Sequence, residues 1–343
     1  MTNLRFFLGL WLYLALAGCE TPPAEVELAG MAQGTTYHIK FVPAAGLDKE
    51  ALHREIDAKL ADIDLHYSNY RDDSEIARFN QRHDTEWAEV TPDLVKMMSI
   101  AKVLHEKSNG CYDLTVKPLL EAWGFFKHEN QVPSDAQIAA AKAKVGFGKI
   151  EIDNERQRLR KTDPEAQVDL SSIGQGYAIG QVATLLEGKG VANYLVEIGG
   201  EMKVRGVKSN GKSWRVAIEK PVPERREVQR IIEVPAQRPL AIMTSGSYRN
   251  YFESGGKVYS HIVDPATGRP VAHHLLSVSV LHDDPTWADG WSTALLCLGE
   301  VEGPKVAAAE GVEALFIYGE DGQLKELSSP TLSQEQFVAP VTQ

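Results

Sequence analysis

Three stretches of this chain carry polar side chains at spacings that chemistry could use. In Ala288-Asp289-Gly-Trp-Ser292-Thr293-Ala294, Asp289, Ser292 and Thr293 stand at i, i+3 and i+4, so one helical turn would present a carboxylate and two hydroxyls together. Such hard oxygens suit Mg2+, which keeps several waters and draws its remaining ligands from a few carboxylates and substrate phosphates. The same residues also read as a helix N-cap with an acid in the first turn. The second stretch, Val168-Asp169-Leu-Ser-Ser172-Ile-Gly174-Gln175-Gly176-Tyr-Ala-Ile-Gly180, runs through glycines into a helix. It departs from a dinucleotide fingerprint, because the last glycine arrives one residue late and no βαβ unit precedes it. A glycine turn opening a helix still offers N–H groups and a positive dipole end to an anion. Asp169 could accept hydrogen bonds from a ligand there or, with Ser172, cap the helix. The third stretch joins Thr244-Ser245-Gly246-Ser-Tyr-Arg249 to Tyr259-Ser-His261-Ile-Val263-Asp264-Pro-Ala-Thr-Gly268. His261 is a candidate acceptor for a substrate hydroxyl proton, and Asp264-Pro-Ala-Thr-Gly is turn chemistry of a β-hairpin. His273-His274 and His282-Asp283-Asp284 match no common zinc spacing.

Charge narrows what those residues could bind. The 343 residues include 36 Lys+Arg against 47 Asp+Glu, a net charge of −11, and no basic run is long enough to hold a nucleic-acid backbone. A small anion would need a bound cation or backbone N–H groups to hold it. With 43% hydrophobic residues the chain has the balance of an ordinary globular protein.

The start of the chain reads as an address. The apolar run from Phe6 to Ala17, behind Arg5, falls short of the roughly 20 residues that span a bilayer and fits a signal peptide over 1–18. Leu16-Ala17-Gly18-Cys19 resembles the bacterial lipobox, in which the cysteine is lipidated and becomes the first mature residue. A plain secretory signal with an incidental cysteine would lead to the same compartment. Residues 19–32 then form a tether with paired prolines. Cys111 and Cys297 could pair in an oxidising compartment, but Cys297 lies in Ala294-Leu-Leu-Cys297-Leu298 and reads better as a buried free thiol.

The elements that must position these groups are legible from periodicity. A β-branched alternating strand is expected over 34–42, and Leu52, Ile56, Leu60 and Ile63 mark an amphipathic helix over 48–66. Thr91-Pro92 opens a helix that Gly110 closes, and Ser134 with Gln137 makes a capping box for another, stopped at Gly146. Strands are expected near 149–153, 157–161 and 167–170, and a helix over 174–188. Mostly strands fill 193–282, followed by helices near 287–298 and 303–310 and a strand at 313–318. Antiparallel or mixed sheets with segregated helices define an α+β fold. The body spans 33–330 as one catalytic unit with room for two lobes, followed by a tail over 331–343.

Taken in order, these segments resemble the ApbE family, the FAD:protein FMN transferases. Gly34-Thr-Thr-Tyr37 looks like the family's first strand motif, and Ser68-Asn-Tyr70 with Ser74-Glu-Ile…Asn80 like its next block. Gly110-Cys-Tyr-Asp113-Leu-Thr-Val-Lys-Pro118-Leu follows, then Trp123-Gly-Phe125, Asp169 to Gly176, Glu197-Ile-Gly-Gly200, Ser245-Gly246, His261 to Gly268 and Asp289 to Thr293. The resemblance implies Mg2+-dependent transfer of FMN from FAD to a threonine of an acceptor flavoprotein through a phosphoester, with release of AMP. It implies flavin-nucleotide contacts at Gln33, Tyr70, Cys111, Tyr112, Asp113, Asp169, Gln175 and Val263. Metal oxygens would come from Ser172, Asp289, Ser292 and Thr293, and His261 would be the base. The acceptor would be a subunit of a respiratory redox complex, and the enzyme a lipoprotein facing the periplasm, on the inner rather than the outer membrane. Several relatives carry Asp where this chain has Ser292. Gln33 replaces a common methionine, and Gln175 a frequently charged residue. Two alternatives share the pocket: hydrolysis of FAD to FMN and AMP, and a lipoprotein that binds flavin without chemistry.

Overall fold

The computed structural model describes residues 24–126, 129–222, 227–332, 334, 337 and 338, so the signal segment and Cys19 lie outside the described residues. Eight strands pair into one sheet: β1 (Val26–Ala32), β2 (Thr35–Phe41), β3 (Tyr194–Ile198), β4 (Glu201–Arg205), β5 (Leu240–Gly246), β6 (Leu275–His282), β7 (Glu313–Glu320) and β8 (Gln323–Ser328). Their order in the sheet is their order in the chain, and every neighbouring pair is antiparallel.

The central strands are buried on both faces, which follows from their continuous apolar runs, since successive side chains point to opposite faces. Met243, Val278, Val280 and Phe316 join one core, and Ile242, Leu281, Leu315 and Ile317 join another. Helices α1 (Lys49–Tyr67), α2 (Glu75–Gln81), α3 (Pro92–Lys107), α4 (Lys117–Ala122), α5 (Asp135–Lys142), α6 (Gly174–Gly188) and α7 (Pro285–Glu310) supply the other elements. Of these, α1, α6 and α7 pack on the first face, and α3 packs on α7. A three-stranded sheet of Arg215–Glu219, Val228–Glu233 and Phe337–Val338 contributes Val216, Ile218 and Ile232 to the second core. A third cluster gathers Leu119 from α4, Trp123 at its C-cap, Ile138 from α5, and Phe252 from the hairpin of Tyr251–Ser254 and Lys257–Ser260.

Local signals act where they were read. Asp48 caps α1 by accepting from the Ala51 N–H at 2.9 Å, and Leu52, Ile56, Leu60 and Ile63 are its buried stripe. Ser134 and Gln137 form both bonds of the capping box. The two helices expected over 287–310 meet at Gly299, whose φ of 78° interrupts α7.

Four expectations are corrected. Val26–Ala32 belongs to the sheet, not the tether, because Leu28 and Ala32 are buried; Gln33 and Gly34, at φ of 52° and 74°, make the two-residue turn into β2. The tail is partly anchored, with Leu332 buried in the second core and Phe337–Val338 paired to Val228–Glu233. Residues 167–170 join no ladder, since distant side chains take their backbone groups. Asn80 donates to the Val168 carbonyl and accepts from its N–H, and Asn69 accepts from the Leu170 N–H. Finally, Cys297 is no free thiol. The packing of α3 on α7 brings the loop after α3 to it, and a disulfide joins Cys111 to Cys297 with Cα atoms 5.9 Å apart.

Candidate active site

A cavity of about 690 Å³ opens between the starts of α6 and α7, the ends of β3 and β5, the loop after α3, the three-stranded sheet and the 248–265 segment. Cys111, Tyr112, Asp113, Asp169, Ser172, Gln175, His261, Val263, Asp289 and Thr293 line it, so most residues singled out by sequence converge here.

Asp289 sits in the second turn of α7, because the helix begins at Pro285 and its N-cap is Asp284, which accepts from the Thr286 N–H at 2.8 Å. It therefore caps nothing in its own helix. Its Oδ2 accepts from the Gly176 N–H at 2.8 Å, across the α6–α7 contact. That contact needs glycine, since a Cβ at Gly176 would lie 2.2 Å from the Pro285 carbonyl oxygen and 2.7 Å from Asp289 Cβ. Burial raises the Asp289 carboxyl to about 7, against the lowering effect of the Gly176 and Gln175 N–H groups. Burial also holds Glu201, at the start of β4, well above the ordinary carboxylate range, with the Asp289 charge adding to the shift.

Hydroxyls surround the turn. Ser245 Oγ on β5 lies 2.7 Å from Ser292 Oγ and 3.0 Å from Thr293 Oγ1, and Ser292 Oγ donates to the Asp289 carbonyl at 2.8 Å. Ser292 is thus packed beneath the wall, whereas Thr293 faces the cavity. Ser172 Oγ donates to the Tyr112 hydroxyl at 3.2 Å. The N-cap residue of α6, Ile173, offers no capping side chain, and the capping role open to Asp169 and Ser172 is not taken; Asp289 of α7 receives the Gly176 N–H instead. Asp169 Oδ1 instead accepts from Asn69 Nδ2 at 3.0 Å and the Ser171 N–H at 2.8 Å.

His261 Nδ1 lies 2.9 Å from the Asn250 carbonyl oxygen, an acceptor only, so that nitrogen carries the proton and Nε2 keeps its lone pair. Burial pushes the imidazole below its ordinary value and outweighs the Asn250 contact. A neutral ring with a fixed tautomer is the form a general base requires.

Of the expected flavin contacts, two lie off the cavity wall and a third turns its carboxylate to the loop. Gln33 lies in the β1–β2 turn and is not on the cavity wall. Tyr70 is exposed and off the wall, stacked on Phe126 with ring centroids 5.8 Å apart. Asp113 lines the cavity, but its oxygens accept from the Thr115 N–H and hydroxyl and the Phe147 N–H, so its carboxylate organises the loop. Gln175 reaches the wall with its Nε2 donating to the Ile198 carbonyl at 2.7 Å. Glu201 was not singled out by sequence, because an acid after Gly199-Gly200 reads as the flank of a hairpin turn.

Among the described residues no three His, Cys, Asp or Glu side chains cluster as a metal set. One buried carboxylate with neighbouring hydroxyl oxygens is a hard donor set, and Asp289 is buried with no cationic side chain offsetting its charge. These residues fit Mg2+ and do not fit zinc.

Fold and site define a class: an antiparallel α+β body with a cavity where the start of one helix donates to the buried carboxylate of another. The chain belongs to the ApbE family, whose sequence model matches residues 33–316. The FAD:protein FMN transferase of Vibrio cholerae serotype O1 is 42% identical over 319 residues, 92% of this chain and 94% of that protein. That of Haemophilus influenzae is 38% identical over 324 residues, 92% and 93% of the two chains. The solved flavin transferase ApbE from Vibrio cholerae superposes with a TM-score of 0.83 at 39% identity, covering 92% of this chain and all of that one. The apo flavinyl transferase ApbE of Pseudomonas stutzeri gives 0.83 at 38%, covering 92% and 98%.

Proposed function

We propose that this protein transfers FMN from FAD to a threonine hydroxyl of an acceptor flavoprotein, forming a phosphoester and releasing AMP. The observation that carries the reading is the meeting, in one cavity, of a neutral histidine with Nε2 available and a buried carboxylate, beside hydroxyl groups, that no cationic side chain offsets. His261 Nε2 takes the threonine proton as the oxygen attacks the FMN phosphorus, and the bond from that phosphorus to the AMP phosphate breaks. The positive dipole end of α6 at 174–176 favours the diphosphate, while the Gly174 and Gly176 N–H groups are held by the Leu170 carbonyl and Asp289. Asp289 and Thr293, with Ser172, would hold Mg2+, which supplies charge neutralisation at the diphosphate when bound.

The acceptor is inferred to be a subunit of a respiratory redox complex. Leu16 to Cys19 support a lipid anchor that holds the protein to the cell envelope, facing the periplasm. The Cys111–Cys297 disulfide suits that oxidising compartment.

Purified protein incubated with FAD, Mg2+ and a candidate acceptor, then resolved on a denaturing gel, tests the reading. A fluorescent acceptor band is expected. AMP without a labelled acceptor would assign hydrolysis, and intact FAD would assign flavin storage.

A further inference from the structure

Resting on the flavin transferase reading, the cavity poses a charge problem. Among the described residues on its wall, Asp113, Asp169, Glu197, Glu201, Glu219, Glu227 and Asp289 are acidic, and Arg249 is the sole Arg or Lys. Acids outnumber bases on this wall, so a dinucleotide diphosphate gains from a cation placed on it. Arg249 lies in the loop between β5 and the Tyr251–Ser254 strand, and its guanidinium is paired with Glu219, the last residue of the Arg215–Glu219 strand. The pair therefore ties two walls of the cavity together. Tyr248 supports the guanidinium, with Cζ 5.5 Å from its ring centroid. The next residue, Asn250, orients His261, so the cation is one residue from the group that fixes the base.

The Arg249 side chain keeps 52% of its exposure and Glu219 keeps 28%. A solvent-exposed pair of this kind is weak, and a phosphate offers the same planar fork two oxygens and more charge. We propose that Arg249 recognises the diphosphate of the flavin dinucleotide, leaving Glu219 for the non-bridging oxygens when FAD enters, with Glu219 as its resting counter-ion. Glu219 thereby competes with the substrate. If the pair were only a structural tie, losing either partner would act in the same direction.

Binding of FAD and of riboflavin, which lacks phosphate, by flavin fluorescence at fixed Mg2+ separates these cases. Arg249→Gln is expected to weaken FAD about 10- to 100-fold, the range for losing a charged hydrogen bond, and to leave riboflavin unchanged. Arg249→Lys should fall between, since it keeps charge without the fork. Glu219→Gln should tighten FAD. Riboflavin binding also reports that each variant is folded. Equal FAD affinity in Arg249→Gln, equal loss of both flavins, or weakened FAD binding in Glu219→Gln would each overturn the proposal. If the unaltered protein transfers FMN while Arg249→Gln keeps its FAD affinity, only this inference falls. If the unaltered protein binds neither flavin, the transferase reading falls and takes this inference with it.

Discussion

At the scale of single residues, Asp289 and His261 divide the work by the states their burial imposes. Asp289 must lose its proton to hold a cation, and its carboxyl sits near 7. Mg2+ affinity is therefore expected to rise about tenfold per pH unit below that value and to flatten above it, with a proton released on binding. Isothermal titration at several pH values measures this directly, and a pH-independent affinity would remove Asp289 as a ligand. Asp289→Asn should cost about 100-fold or more in Mg2+-dependent turnover. For His261, whose folded value is depressed, the neutral ring's contribution to stability is present above the ordinary histidine range and is lost as pH falls through the depressed value. With Mg2+ kept saturating, transfer should persist below the ordinary histidine range and then fail on that same acidic limb. His261→Ala is expected to lose transfer by about 10²- to 10⁴-fold while FAD binding stays intact; full transfer by that variant would exclude it as the base. His261, Asp289 and Thr293 were legible because their motifs occur in a recognisable order. Glu201 and the buried setting of Ser292 were not, because burial is decided by β4, β5 and α7 packing together.

At the scale of elements, the α6–α7 contact is the joint on which the site depends. Gly176→Ala would drive a methyl into the Pro285 carbonyl, which cannot yield without moving α7, and would part the Gly176 N–H from Asp289. A loss of about 1–3 kcal/mol is expected in urea unfolding, with weaker Mg2+ binding, as for other overpacked positions. The Cys111–Cys297 disulfide fastens the loop bearing Tyr112 and Asp113 to α7. Replacing Cys111 with Ser should lower stability by about 2–4 kcal/mol in the same assay, and no change would show that packing alone holds the loop. Helices were readable because their signals are local: α1 declares its stripe through Leu52 to Ile63, and α5 its start through Ser134 and Gln137. Residues 167–170 look like a strand in isolation, yet Asn69 and Asn80 satisfy them from about a hundred residues away in sequence. The disulfide was hidden for the same reason, since 186 residues separate its cysteines.

At the scale of the whole molecule, eight strands in chain order give a sheet whose central strands are buried on both faces, and strand ends open into one acidic cavity. The α+β class could be read from the run of short strands and separate helices. The strand order and the second core could not, because both rest on pairings between distant segments. A net charge of −11 makes an anionic substrate costly unless a cation receives it. The central claim is that the base at His261 directs an acceptor threonine, not water, onto the FMN phosphorus. Its most direct test counts products: AMP by chromatography and FMN-bearing threonine by peptide mass spectrometry, from one reaction with FAD, Mg2+ and acceptor. One AMP per modified threonine is the expected result; AMP accumulating without modified threonine would contradict it.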